Sequence, residues 1–277
     1  MRRFILIGKP LGHSLSPALF RHWFDRHDLD ADYQARETEE KEIDGLLAEL
    51  AAGDLEGANV TIPYKQQICG KLAKLDSAAR AIGAVNTLVR DGKSILGLNT
   101  DAPAFVKCLE EARDPNSPPI KAGCVFGSGG AARAVVSALL QRGMADIRVV
   151  GRNPAAGRSF RALGGAVGWF SWEQAAVAAE GAGLLVNATP LGQAGFPAFP
   201  KIALKALPDG AALDLVYNPR RTSFQELTET MGFKTANGFS MLVIQAALAF
   251  KGWFGFLPDR SGITQDSLTT RARTERP

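Results

Sequence analysis

The amino-acid sequence predicts an α/β protein of two domains, and three observations carry the prediction. Strand-like apolar runs recur along the chain with helical stretches between them. A glycine turn, Gly127-Ser128-Gly129-Gly130, leaves one of these runs and opens an alanine-rich helix. Upstream of that turn, Pro115, Pro118 and Pro119 interrupt the chain among polar neighbours, where no helix can continue.

The first strand is expected over residues 4–7, because Arg2 and Arg3 precede an apolar run that ends too early, at Lys9-Pro10, for a secretory signal. Ser16 followed by Pro17 reads as an N-cap with proline at the first helical position. Further strands are expected over 33–36, 57–61 and 87–90, then a helix over about 103–112 leading to the proline break at 111–119. Beyond the break, strands are expected over 124–126, 147–150, 184–187 and 212–215. Several of these runs are continuously apolar, as in strands covered on both faces of a parallel sheet. A helix over 239–253 is expected to return to the first domain. The polar residues 261–277 lack apolar periodicity and are expected to fray. The boundaries are therefore set at 1–102 plus 238–260 for one domain and 103–237 for the other, with 261–277 as a flexible tail.

Of the 277 residues, 46% are hydrophobic and 22% charged, ordinary values for a globular chain. The longest apolar stretch, 241–250, contains Gln245 and stops at Lys251, well short of a bilayer span. A soluble, cytoplasmic protein is expected. The net charge of +4 has no concentrated basic face, which argues against nucleic acid as a partner. The odd number of cysteines (Cys69, Cys108, Cys124) suits buried thiols, and the three histidines have no paired spacing, so no metal is expected.

A strand, a glycine turn and a helix at βαβ distance from a second strand suit a dinucleotide, whose pyrophosphate approaches glycine backbone and free helix amides. Residues 103–237 are thus expected to form a Rossmann-type domain. After its second strand the chain reads Gly151-Arg152-Asn153-Pro154, with no acid from 151 to 161 to hold a ribose 2′-hydroxyl. Arg152 can meet a 2′-phosphate, which a carboxylate would repel, so NADP is favoured over NAD.

In the first half, Ser14 and Ser16 flank a helix start and suit an anionic group such as a carboxylate. Asn59, Thr61, Asn86, Asn99 and Thr100 place amides and hydroxyls at strand ends, a chemistry that suits a polyhydroxylated ligand. A lone lysine is commonly solvated, and an aspartate before a proline commonly caps a helix. Lys65 and Asp101 together among such groups instead suggest a catalytic pair.

These segments, His13-Ser14-Leu15-Ser16-Pro17, Asn59-Val60-Thr61-Ile62-Pro63-Tyr64-Lys65, Gly83-Ala84-Val85-Asn86-Thr87 and Asn99-Thr100-Asp101, resemble the shikimate dehydrogenase family. The resemblance continues through Gly127–Ala131, Asn187-Ala188-Thr189-Pro190-Leu191-Gly192, Asp214-Leu215-Val216-Tyr217-Asn218-Pro219 and the run from Gly238 to Gln245, covering residues 4–256 in order. It implies an N-terminal substrate domain with a mainly parallel sheet, followed by the dinucleotide domain. It implies NADP-dependent, reversible reduction of 3-dehydroshikimate to shikimate in aromatic amino-acid biosynthesis, by a monomer or homodimer. Lys65 and Asp101 would be catalytic, and Ser14, Ser16, Asn59, Thr61, Asn86, Tyr217 and Gln245 would bind substrate. Gly127, Gly129, Gly130, Ala131, Arg152, Asn153, Thr189, Gly238 and Met241 would bind the cofactor.

The chain departs from the family pattern twice. Ala102-Pro103-Ala104 replaces glycines after the Asn-Thr-Asp run, and Gly151-Arg152-Asn153 stands where Asn-Arg-Thr is frequent. The alternatives are therefore a quinate/shikimate dehydrogenase using NAD or both cofactors, and a non-catalytic NADP-binding regulator. A folate dehydrogenase is disfavoured because position 61, four residues before Lys65, is threonine rather than tyrosine.

Overall fold

The computed structural model describes residues 1–113, 117–205, 207 and 210–274. Residues 114–116 of the proline break and 275–277 of the expected tail lie outside the described residues. The chain divides into two compact units, Met1–Thr100 with Leu242–Pro277, and Asp101–Met241. No helix among the described residues is long and apolar enough to cross a membrane.

The first unit is built on a six-stranded sheet. Its strands are β1 (Arg2–Gly8), β2 (Ala31–Glu37), β3 (Gly57–Val60), β4 (Lys74–Leu75), β5 (Thr87–Asp91) and β6 (Ser94–Leu98), in the spatial order β2-β1-β3-β5-β6-β4. β1 runs parallel to β2 and β3, β4 runs parallel to β6, and β5 is antiparallel to β3 and β6. Gly57 and Gly97 are required by close packing. A Cβ on Gly57 would lie 2.2 Å from Trp253 Nε1, and one on Gly97 would lie 2.6 Å from the Leu72 side chain. Trp253, on the helix Phe239–Phe254, fills the first gap and donates from Nε1 to Leu88 O at 2.9 Å. This indole seats the latter part of that helix on the sheet, beside Phe4 and Phe20.

Residues 265–274 form a helix, Gln265–Thr274, which corrects the expected frayed tail. Its single apolar anchor, Leu268, is 2% exposed, and Arg271 pairs with Asp25 on the helix Ser16–Arg26. The chain leading to it is held by Trp23 Nε1, which donates to Asp259 O at 2.9 Å, and by an Arg26–Asp259 ion pair. One buried leucine with distant partners produces no periodicity, so the signal is absent from the local sequence.

The second unit has strands β7 (Ala122–Phe126), β8 (Asp146–Val150), β9 (Val167–Phe170), β10 (Leu184–Asn187), β11 (Ala211–Asp214) and β12 (Lys234–Ala236). Their order is β12-β11-β10-β7-β8-β9, with every pairing parallel. Counted along the chain this is the 3-2-1-4-5-6 order of a Rossmann sheet, with its switch point between β7 and β10, where ligands bind at carboxyl ends of strands. The helix that opens the unit spans Asp101–Ala112 and begins two residues before the expected start at 103. Pro103 is accommodated because it falls in the first turn, where its missing N–H has no intrahelical partner to lose.

Candidate active site

In the first unit, the polar strand ends form one connected set. Asn59, at the end of β3, accepts from Tyr33 Oη at 2.8 Å and donates to Asn86 O at 3.2 Å and Thr87 Oγ1 at 3.0 Å. Both amide hydrogens of Asn59 are thereby committed inside the fold. Its oxygen retains one acceptor position for a ligand. Asn86 donates to Thr100 Oγ1 at 2.8 Å and to Gln245 Oε1 at 3.4 Å, and accepts from Thr100 N at 2.8 Å. Asn99 donates to Ala84 O at 2.9 Å. Asn59, Asn86, Asn99 and Thr100 are each 5% exposed or less, which fixes their rotamers through these bonds.

Lys65 is half-buried and opens the short helix Lys65–Cys69 directly after β3 and the Thr61-Ile62-Pro63-Tyr64 turn. Its carbonyl accepts from Val85 N at 2.8 Å, one residue before Asn86. Tyr64 Oη donates to Thr38 O at 2.7 Å, and Thr61 N donates to Ile7 O at 2.9 Å. Thr61 itself is half-buried, and its methyl group would lie 2.4 Å from a Cβ on Gly8, so the end of β1 accepts only glycine.

Ser16 does not take the N-cap position expected of it. The N-cap of Ser16–Arg26 is Leu15, already in the α region, so Ser16 is the first helical residue and Pro17 falls inside the first turn. Ser14 accepts from Ser16 N at 3.2 Å. Ser16 is buried, and Ser14 is half-buried.

In the second unit, Gly127 at the end of β7 has φ +123°, and a Cβ there would lie 2.7 Å from Ala188 O. A Cβ on Gly129 would meet nothing within 4 Å, so open space lies beside the turn. Gly129 is the N-cap of the helix Gly130–Gln141 and has no side chain with which to occupy the first-turn amides. Ala132 and Ala134 are fully buried. A glycine turn that must approach neighbouring backbone, an open face and uncapped amides fit a pyrophosphate. Beyond β8, Arg152 is exposed, while Asn153 accepts from Ala155 N at 3.0 Å as the N-cap of Pro154–Arg161. Asn153 thus spends an acceptor on the helix, and the donor it carries is its NH2 group.

Thr189 donates from N and Oγ1 to Asn187 Oδ1, at 3.0 and 2.6 Å, and accepts from Leu191 N at 3.1 Å. Asn187 donates in turn to Leu191 O at 3.0 Å and to Asp214 Oδ1 at 2.8 Å. The Asp214 carboxylate also accepts from Val216 N at 3.0 Å and Thr222 Oγ1 at 2.5 Å. Burial raises the Asp214 carboxyl to about 6, against the lowering effect of these hydrogen bonds. Half-buried Tyr217 follows Val216, and Gly238 lies so close to Leu215 that a Cβ would be 2.2 Å from its carbonyl oxygen. Met241 is 8% exposed. Asn187, Asp214 and Thr222 are absent from the residues singled out by sequence as site-forming. Their signal is a polar residue closing each of two apolar strands at matched register, Asn187 opposite Asp214.

Comparison with known proteins gives a consistent set of likenesses. Residues 6–88 match the family model described as the shikimate dehydrogenase substrate binding domain. A shikimate dehydrogenase (NADP(+)) of Brucella abortus is 39% identical over 261 residues, which is 93% of this chain and 90% of that protein. The crystal structure of Thermus thermophilus shikimate 5-dehydrogenase in complex with NADP(H) and shikimate is 34% identical, with a TM-score of 0.79 over 99% of both chains. A quinate dehydrogenase from Corynebacterium glutamicum in complex with NAD is 27% identical, with a TM-score of 0.80 over 99% of this chain and 98% of that one.

Proposed function

The chain belongs to the shikimate dehydrogenase family, and from that premise we propose how its residues carry out the NADP-dependent, reversible reduction of 3-dehydroshikimate to shikimate. NADPH, when bound, supplies the hydride to the carbonyl carbon. The carbonyl oxygen needs a proton as charge develops on it, and Lys65 delivers it as general acid, acting as base in the reverse direction. Asp101 orients the lysine and holds the adjacent ring hydroxyl. Ser14 and Ser16 bind the ring carboxylate. Asn59, Thr61, Asn86 and Gln245 pair with the hydroxyls, and Tyr217 lines the site.

The observation that carries this reading is the way one segment holds the backbones on which both catalytic groups depend. Val85 N bonds the Lys65 carbonyl, and the next side chain, Asn86, bonds the amide of Thr100, the residue before Asp101. A held backbone at Lys65 and at the residue before Asp101 suits acid–base chemistry on a small polyol. On the cofactor side, Gly127, Gly129, Gly130 and Ala131 hold the pyrophosphate, and Arg152 and Asn153 meet the 2′-phosphate. Thr189, Gly238 and Met241 border the nicotinamide. The reading places the protein in the cytoplasm as a monomer or homodimer. The buried thiols of Cys69, Cys108 and Cys124, none of them in a disulfide, suit a reducing compartment.

Isotope transfer tests the reaction. Shikimate deuterated at the hydroxyl-bearing carbon to be oxidised is expected to yield singly deuterated NADPH and a product lighter by one deuterium and one hydrogen. Unlabelled NADPH, or no change in the shikimate, overturns the assignment.

A further inference from the structure

The turn that carries Arg152 is folded over a single indole. Trp169 lies in β9 opposite Val149 of β8. A Cβ on Gly151 would fall 2.2 Å from Trp169 Cη2 and 2.7 Å from Cζ2, and one on Gly157 would fall 2.8 Å from Cγ. The benzo end of the ring therefore lies against Gly151, and its five-membered end against Gly157. Both glycines are fixed by close approach to an aromatic face rather than by an unusual backbone angle. Gly151 N also donates to Phe170 O at 3.1 Å, and the Phe160 ring lies 5.8 Å from Trp169 on the helix side. Between the two glycines, Asn153 caps the helix through Ala155 N, so the turn is held at both ends and through its middle. Arg152, exposed, extends from this held turn.

We propose that Trp169 is the positioning residue for NADP selectivity: it sets the height and direction from which Arg152 meets the 2′-phosphate. The proposal rests on the reading that Arg152 is the 2′-phosphate ligand. A guanidinium–phosphate pair works at about 2.7–2.9 Å and in a fixed orientation. A Cβ placed 2.2 Å from a ring atom cannot be accommodated without moving the turn or the indole by about an ångström, well outside that tolerance. The pyrophosphate contacts come from the glycine turn after β7, two strands away from Trp169 in the sheet.

Binding calorimetry with adenosine 2′,5′-bisphosphate and adenosine 5′-monophosphate isolates the 2′-phosphate from catalysis. Gly151→Ala and Trp169→Leu are each expected to weaken the bisphosphate about 10-fold or more, the scale of a lost charge-assisted hydrogen bond. Both should leave the monophosphate within about 2-fold. The double variant Gly151→Ala/Trp169→Leu, in which the new methyl group has room, is expected to recover most of the selectivity. Trp169→Phe serves where the leucine variant does not fold, with a smaller loss in the same direction. Equal weakening of both ligands, unchanged selectivity in the Trp169 variants, or no recovery in the double variant overturns the proposal. Arg152→Ala separates it from its premise: unchanged selectivity there removes the role of Arg152. Loss there with none at Trp169 removes only the present inference.

Discussion

Replacing Asp214 by asparagine should flatten the pH dependence of stability between pH 4 and pH 7. Asp214 is fully buried at the end of β11, and desolvation lifts its carboxyl from the ordinary 3.8 to about 6 despite three hydrogen-bond donors. The folded state therefore holds this proton more tightly than the unfolded chain does. Below pH 3.8 both states are protonated and the group contributes no difference. Between the two values only the unfolded chain ionises, so stability falls as pH rises, and the loss is complete above about 6. The folded and unfolded titrations are separated by roughly two pH units, which at about 1.36 kcal/mol each amounts to about 3 kcal/mol. The asparagine side chain has no such titration. Its oxygen can keep the bonds from Asn187 and Val216 N while its NH2 turns to Thr222 Oγ1, and any remaining penalty is independent of pH and drops out of the slope. Urea unfolding of both proteins across this range is the assay. The wild type should lose about 2 kcal/mol relative to the variant from pH 4 to pH 7, since the unfolded carboxyl is already partly ionised at pH 4. Parallel stability curves would refute the reasoning and show that the buried carboxylate is solvated or neutralised by other means.

Three further outcomes follow from the same geometry. Lys65→Ala should lower turnover by roughly 100-fold or more, the usual scale for a general acid, while shikimate still binds in calorimetry; near-normal turnover would remove Lys65 from the chemistry. Gly127→Ala puts a methyl group 2.7 Å from Ala188 O at φ +123° and should weaken NADP and NAD binding alike by about 10-fold or more, read by dinucleotide titration. Leu268→Ala should cost about 2 kcal/mol in urea unfolding, because it removes the one buried side chain that anchors the C-terminal helix; no loss would return that segment to a tail.

The two-domain α/β plan was legible because its signals are local. Gly127 and Gly129 mark a strand-to-helix turn, and apolar runs closing near Asn59 and at Asn187 mark buried strands. β4 with two residues and β12 with three are too short for any period, and β9 is interrupted by Gly168. β6 is marked only by its last residues, since Gly97 within it is explained by side chains of Leu72, Val85 and Leu75 from elsewhere in the chain. Residue types in the candidate site were legible, but the division of their hydrogen bonds was not. The commitment of Asn59 depends on Tyr33, 26 residues away, and the loss of the expected Ser16 cap depends on Leu15 having already entered the helix. Trp169 escaped notice for the same reason, because its meaning lies in the two glycines it covers.

The most direct test of the account is the initial rate of reduced-nicotinamide absorbance with purified protein, offering shikimate or quinate with NADP or NAD in all four combinations. Rapid reduction is expected with shikimate and NADP, with much slower rates for the other three. Equal or faster rates with quinate or NAD, or no rate with any pair despite tight NADP binding, would contradict it.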